Sequence, residues 1–327
     1  MKKLLFILFF VPFVGSSQGY FFSQFHSSPL TLNPALNGTS GSNVRVSTNF
    51  RNQWTYGESP YSTGAIGLEA RLLGNSLPEF HTFSFGANFL TDQSNAGGLS
   101  FNTINIGPAY HLALDAAGTH TIGIGLQGSF NQRMINLNNL NFESQFGSGG
   151  FNNALPVGET FQNLNSKYFD VNAGLLYQLS TENIDFNFGA SLYNITQQEN
   201  QASALVFKVP SRFVFHSSFA TTGENGLSVL GSLTSISVNG LNNITAGAAV
   251  RKSVEYFSFT GGCWYRIGDA IIPYIGLSKN GISLGVSYDN TTSSLKTVTQ
   301  NRNAFELSLT YAPISGLKEL KRNVPWY

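Results

Sequence analysis

Charge is what this chain has least of. Asp, Glu, Lys and Arg make up 11% of its 327 residues, less than half of the roughly 25% usual in soluble domains. It has one cysteine, Cys263, which excludes an internal disulfide, a CxxC pair and a cysteine-based zinc cluster. Beyond its N-terminus it has no run of about 20 apolar residues, so a spanning helix is excluded as well. Disorder is excluded by the 28 Phe and 13 Tyr, too many for a chain unable to bury surface. What is abundant is Gly, at 34 residues, with Asn, Ser and aromatics. That mixture is apolar enough for a membrane but too often interrupted for a helix, the composition of a transmembrane β-barrel.

Met1-Lys2-Lys3 precedes an apolar run from Leu4 to Val14, broken by Pro12 and followed by Gly15, Ser16 and Ser17. A basic start, a short apolar core and a small-residue exit make residues 1–17 a secretory signal peptide, with the mature chain starting near Gln18. The run is too short for a comfortable membrane anchor, and no cysteine follows it to carry a lipid. Removing Lys2 and Lys3 from the 18 basic residues leaves 16 against 17 acidic ones. A near-neutral chain lacks the electrostatic basis for a nucleic-acid partner.

Period-two alternation runs through the rest. Ile122, Leu126 and Phe130 alternate with Gly123, Gln127, Ser129 and Asn131; Phe305, Leu307, Leu309 and Tyr311 alternate with Glu306, Ser308 and Thr310. Fourteen such segments are expected as strands: 44–54, 61–73, 80–92, 100–114, 119–132, 168–180, 184–196, 211–222, 226–238, 243–252, 254–267, 269–278, 281–290 and 303–312. Segments 226–238 and 269–278 alternate poorly. Successive strand side chains face opposite ways, so each strand has a greasy side and a small or polar side.

Charges fall on the polar side. Arg45, Arg51, Glu69, Arg71, Asp170, Asp185, Arg251, Arg266, Asp289 and Glu306 all do so, as expected where a charge facing lipid costs about 2–4 kcal/mol at the bilayer midplane. His81, in the apolar phase, is an exception at a strand end. A soluble sandwich would show the same pattern, and the connections separate the two. The longest, 133–167, 197–210 and 291–302, all follow odd-numbered strands. After even strands come the short 115–118, 181–183, 223–225, Ser253 and 279–280. Long loops on one rim and tight turns on the other indicate an outer-membrane barrel. The fold expected is all-β: an antiparallel transmembrane barrel of about 14 strands over 44–312. An extended or irregular segment at 18–43, a possible plug, precedes it, and a periplasmic tail at 313–327 follows.

No motif points to chemistry. Gly123-Ile-Gly125-Leu-Gln-Gly128 matches GxGxxG, but it sits inside a strand with no helix after it, so a dinucleotide turn is rejected in favour of small residues in a crowded interior. His26, His81, His111, His120 and His216 lie at no metal-ligand spacing, and no nucleophile elbow is present. No catalytic residue, metal or cofactor is therefore expected. Trp54, Tyr56, Tyr61 and Phe80, at strand ends, read as an interfacial girdle. The luminal phase supplies the candidate contact residues: Arg51, Gln53, Glu69, Arg71, Arg251, Trp264, Arg266, Asp289 and Glu306. They suit either ion pairing across a filled barrel or contact with a cargo. The 133–167 loop adds Phe142, Phe146, Phe151 and Phe161 as extracellular candidates.

Several short blocks together resemble the PorP/SprF family of type IX secretion system membrane proteins of Bacteroidota. They are Gln24-Phe25, Pro29-Leu30, Leu32-Asn33-Pro34-Ala35 and Gly38; Arg51-Asn52-Gln53-Trp54 with Pro60 and Thr63; and Ala109-Tyr110-His111-Leu112. Near the C-terminus come Trp264-Tyr265-Arg266, Asp269-Ala270, Gly285, Ser287-Tyr288-Asp289, Ser293-Ser294-Leu295 and Phe305-Glu306-Leu307. His26-Ser27-Ser28 departs from the family pattern, which usually has an aromatic or Met there. The resemblance implies an outer-membrane barrel, embedded in lipid, that aids secretion or surface attachment of cargo such as gliding adhesins. It also implies two partners, the secretion machinery and the cargo's C-terminal domain. The rival readings are an outer-membrane channel for hydrophobic or small solutes and, last, a surface hydrolase.

Overall fold

A computed structural model of the chain describes residues 20–54, 60–94, 98–152, 154–156, 158, 164–202, 205–293 and 303–313. The expected signal peptide and nearly all of the expected tail lie outside the described residues, as does Phe161. The alternating segments form a closed barrel of fourteen antiparallel strands. In chain order these are β1 (Val44–Gln53), β2 (Tyr61–Leu72), β3 (Thr82–Ser94), β4 (Leu99–Ala113), β5 (His120–Ile135), β6 (Asn165–Ser180) and β7 (Ile184–Tyr193). The second half is β8 (Arg212–Thr222), β9 (Leu227–Val238), β10 (Leu241–Val254), β11 (Phe257–Arg266), β12 (Ala270–Lys279), β13 (Ile282–Thr291) and β14 (Ala304–Tyr311). Each strand pairs with the next, and β14 closes on β1 from Val46↔Tyr311 to Gln53↔Ala304. Closure satisfies every strand edge, which a bilayer without hydrogen-bond partners requires.

The two phases separate cleanly. Along β5, Thr121, Gln127, Ser129 and Asn131 are buried while Ile122, Ile124 and Leu126 are exposed to the lipid side. The poorly alternating segments are strands too, because pairing on both edges holds β9 and β12 in place. The turn expected at Ser253 is two residues later. Ser253 pairs with Ser258, and Glu255-Tyr256 make the turn, with Glu255 at φ 49°. An apolar Val254 at the end of β10 extends the ladder past the point where alternation in the sequence fades. Asn239-Gly240 and Asn280-Gly281 have positive φ at both residues, the type I′ geometry that suits two-residue hairpins.

The long connections, 136–164, 194–211 and 292–303, share one rim with four shorter ones, 54–60, 95–98, 239–240 and 267–269. The 136–164 connection carries a small hairpin in which Phe146 pairs with Phe151. Turns at 73–81, 114–119, 181–183, 223–226, 255–256 and 280–281 form the opposite rim.

Leu126, 51% exposed near the middle of β5, should tolerate Phe but not a cation. Leu126→Arg is expected to lower unfolding stability in phospholipid vesicles by about 2–4 kcal/mol, as read from urea titration of tryptophan fluorescence.

Candidate functional site

A barrel with a polar inner wall needs something to satisfy that wall, and the N-terminal segment does so. Residues 20–42 lie inside the barrel, nearly all of them buried. Pro and Asn keep the segment from a long helix. It forms only short turns: Phe25–Ser27, Pro29–Leu32 and Pro34–Leu36. Tyr20 and Phe21 sit at the long-loop end, near Arg212, Arg51 and Arg266. Ser42 reaches the tight-turn end, where its hydroxyl bonds to the Val44 and Pro313 carbonyls. The segment thus spans the height of the lumen.

The outer part is held by four ionised side chains. Arg51 and Arg266 each approach Asp289 Oδ2 at 2.9 Å, and Arg51 also meets Glu306 at 3.3 Å. Both guanidiniums donate to the Ser23 hydroxyl at 2.6 Å, and that hydroxyl donates to Asp289. Glu306 accepts the backbone N–H groups of Ser23 and Gln24, each at 2.8 Å, and the Asn49 amide. Phe21 lies against both guanidinium planes, 5.0 Å from Arg51 and 4.5 Å from Arg266. The Gln24 amide donates to Ser287 and to the Glu306 carbonyl and accepts from Ser308. Two cations and two anions are balanced here, and each carboxylate also takes hydrogen bonds, the condition under which buried charge is tolerated.

Midway, Asn33 caps the Pro34–Leu36 turn by accepting from the Ala35 N–H. Its amide donates to the Leu175 carbonyl and lies 3.0 Å from His216 Nε2. Where the turn comes closest, the wall carries glycine. A Cβ on Gly174 would fall 1.9 Å from Asn33 Oδ1, and one on Gly125 would fall 2.3 Å from Ala35 N. The Gly-rich run on β5 is therefore a recess for the segment rather than a nucleotide turn. Toward the other rim, His111 Nε2 donates to the Ala35 carbonyl, and Asn37 donates to Gly107 and accepts from Ser84 at its carbonyl. Glu69 accepts the Gly38 N–H and pairs with Arg45 at 2.6 Å, while Arg71 donates to the Gly38 carbonyl.

The structure divides the expected luminal residues into separate groups. Arg51, Arg266, Asp289 and Glu306 form the outer cluster, with the Gln53 amide oxygen 3.4 Å from Arg51. Glu69 and Arg71 belong to the second cluster, near the tight turns. Arg251 stands apart, against Thr260. Trp264 bonds to Ser232 and stacks on His26, which also meets Tyr274 edge-on. His26, the departure from the family pattern, thus fills an aromatic niche with another flat ring. On the 136–164 connection Phe142 is partly buried, while Phe146 and Phe151 are exposed. Sequence reasoning missed Ser23, Asn37 and Arg212 as contact residues. Arg212 donates to the Thr31 carbonyl and covers Tyr20 and Tyr193, and nothing in its own strand marks it. Among the described residues no group of His, Cys, Asp or Glu could hold a metal ion.

Arg51→Ala leaves Asp289 and Glu306 with one cation between them. It should destabilise the folded barrel by about 3–5 kcal/mol, the usual cost of removing one partner of a buried pair, as checked by urea unfolding beside the milder Arg51→Lys.

Solved outer-membrane barrels share the architecture. The Ralstonia pickettii toluene transporter TbuX matches with a TM-score of 0.52 at 10% identity, covering 87% of this chain and 92% of that one. A Pseudomonas aeruginosa FadL homologue matches at 0.53 and 9%, covering 86% and 92%. The CymD monoaromatic hydrocarbon channel matches at 0.51 and 8%, covering 88% and 92%. At such identities the likeness shows the fold alone. No curated protein matches the chain. The sequence model for "Type IX secretion system membrane protein PorP/SprF" matches residues 14–311. With the barrel closed and its luminal segment built from the same blocks, the chain belongs to the PorP/SprF family of type IX secretion system membrane proteins, in the bacterial outer membrane.

Proposed function

We propose that this protein serves type IX secretion without catalysis, as an outer-membrane receptor that helps particular cargo reach or stay on the cell surface, gliding adhesins with a matching C-terminal domain among them. The observation that carries this reading is the occupied lumen. Glu306, Asp289, Arg51 and Arg266 grip Ser23 and Gln24 at one end, and Glu69 and Arg71 grip Gly38 at the other. A barrel filled along its height by its own chain offers partners its two rims rather than a passage. At the long-loop rim, the exposed Phe146–Phe151 pair supports a role in cargo contact, since aromatics are enriched where proteins bind. Phe142 and Phe161 belong to the same contact surface in this reading. The opposite rim faces the periplasmic machinery, and residues 1–17 act as the cleaved export signal.

The second reading is a solute channel. It is favoured by the shared architecture of TbuX and CymD, a toluene transporter and a monoaromatic hydrocarbon channel by description, and disfavoured by the filled lumen.

Deleting the gene should leave at least one large surface adhesin unexported or shed, as measured by surface proteomics of intact cells. Full export and retention of all of them would sink the receptor reading. Reconstituted wild-type protein should give no toluene uptake into liposomes. Gly174→Leu, which pushes Asn33 out of its recess, should raise ion conductance in planar bilayers above the wild-type level.

A further inference from the structure

His81 breaks the rule that lipid-facing positions are uncharged, and it has a counterpart. His81 Nδ1 lies 2.8 Å from the Tyr110 hydroxyl, and His120 Nδ1 lies 2.7 Å from the Tyr177 hydroxyl. Both pairs are on the outer surface of the barrel. The local sequence repeats with them. His81-Thr82 leads into β3 and His120-Thr121 opens β5; Tyr110-His111-Leu112 lies on β4 and Tyr177-Gln178-Leu179 on β6. The register repeats as well, since Thr82 pairs with His111 and Thr121 with Gln178, the residue between Tyr and Leu in each case. The two pairs are therefore one arrangement used twice on the tight-turn side, two strands apart and offset by two residues along the strands, since Thr82 is level with Gly123 through His111. At the usual strand spacing and rise that is roughly 12 Å.

An ordinary interfacial girdle uses Trp and Tyr, and a paired imidazole adds a directed donor. A neutral phenol O–H donates to Nδ1, leaving the imidazole proton on Nε2; a protonated ring carries a proton on both nitrogens. The other tautomer, with Nδ1–H donating to the phenol oxygen, makes Nε2 an acceptor. With the phenol as donor Nε2 carries the proton, and among the described residues neither Nε2 has a hydrogen-bond partner. His120 is also fixed through its backbone. Its N–H donates to Asp115 Oδ2 at 2.7 Å, while the Thr119 and Ala117 N–H groups donate to Oδ1. These bonds, that from His120 foremost, hold the Asp115 carboxyl below the usual carboxylate range. Asp115 is thereby committed to its turn. Above the pairs the surface is apolar, with Phe85, Ile122, Ile124 and Leu175 exposed.

We propose that the two His–Tyr pairs each form a site for the phosphodiester headgroup of a phospholipid in the leaflet at the tight-turn rim. The two Nε2–H groups donate to phosphate oxygens, and the acyl chains lie on the apolar surface above. A bilayer must cover this face of a spanning barrel, and the pairs sit where its apolar band ends, so the occupant at that height is a lipid headgroup. Phosphate is the headgroup chemistry that accepts such an N–H donor with charge assistance, one phospholipid at each pair.

The test uses the full-length protein, purified in non-ionic detergent and freed of lipid, with native mass spectrometry of adducts formed with phosphatidylglycerol and with diacylglycerol, which lacks the phosphate. The wild type should retain phosphatidylglycerol over diacylglycerol. In His81→Phe/His120→Phe, with unchanged heat-modifiable gel mobility, that preference should fall at least about tenfold, as loss of charge-assisted hydrogen bonds implies. An unchanged preference in the double variant overturns the proposal. So does displacement of the lipid by millimolar inorganic phosphate, which would mark a free-anion site. If the double variant does not fold, His120→Gln alone must lower the preference, and its failure to do so is equally decisive.

Discussion

Hydrocarbon offers no hydrogen bond, and everything else in this molecule follows from that. The strands close on themselves from β1 round to β14 so that no backbone edge meets lipid. Every second side chain is then forced inward, and with it the polar half of the sequence. A barrel of fourteen strands is wide enough that these groups cannot all reach one another across it. The N-terminal segment supplies the missing partners. Its backbone, irregular and thus rich in unpaired N–H and C=O groups, is met by Glu306, Glu69, His111, Ser84, Arg71 and Arg212. The lumen is in effect a second core, held by hydrogen bonds and ion pairs where a soluble domain would use apolar packing.

That core is unusual in the way it makes room. Close passage of the Asn33-Pro34-Ala35 turn requires a bare wall, and Gly125 and Gly174 provide it on neighbouring strands. The blocks that resemble the PorP/SprF family turn out to be mutually dependent. Gln24, Asn33, Ala35 and Gly38 lie on the segment, and Arg51, His111, Gly285, Ser287, Asp289 and Glu306 lie on the wall that receives it. Regions distant in the chain are thus one constellation.

The outer surface obeys a different constraint, set by depth. Most mid-height positions are aliphatic or phenylalanine, while the ends carry pairs such as Trp54 on Tyr61 and His81 on Tyr110. The phosphate-binding role proposed for the His–Tyr pairs fits this gradient, because the headgroup zone is where an imidazole can face outward at little cost.

The barrel itself was legible in the sequence because its physical signal is local. Side chains on a strand alternate whatever the strand pairs with, so Ile122 to Asn131 declare a lipid face and a lumen face unaided. Fourteen strands, the crowded lumen and the inward charges followed from that period and from the lengths of the connections. The turn at Glu255-Tyr256 was misplaced because Ser253 still belongs to a ladder that only pairing with Ser258 reveals. What tertiary structure alone decided is who meets whom inside. Arg51, Arg266, Asp289 and Glu306 converge on Ser23 and Gln24, whereas Glu69 and Arg71 turn to Gly38 and Arg251 to neither. The reason is geometric: alternation assigns a side chain to the lumen, but its height and its position around the circumference depend on strand register and barrel closure, which no short stretch of sequence encodes.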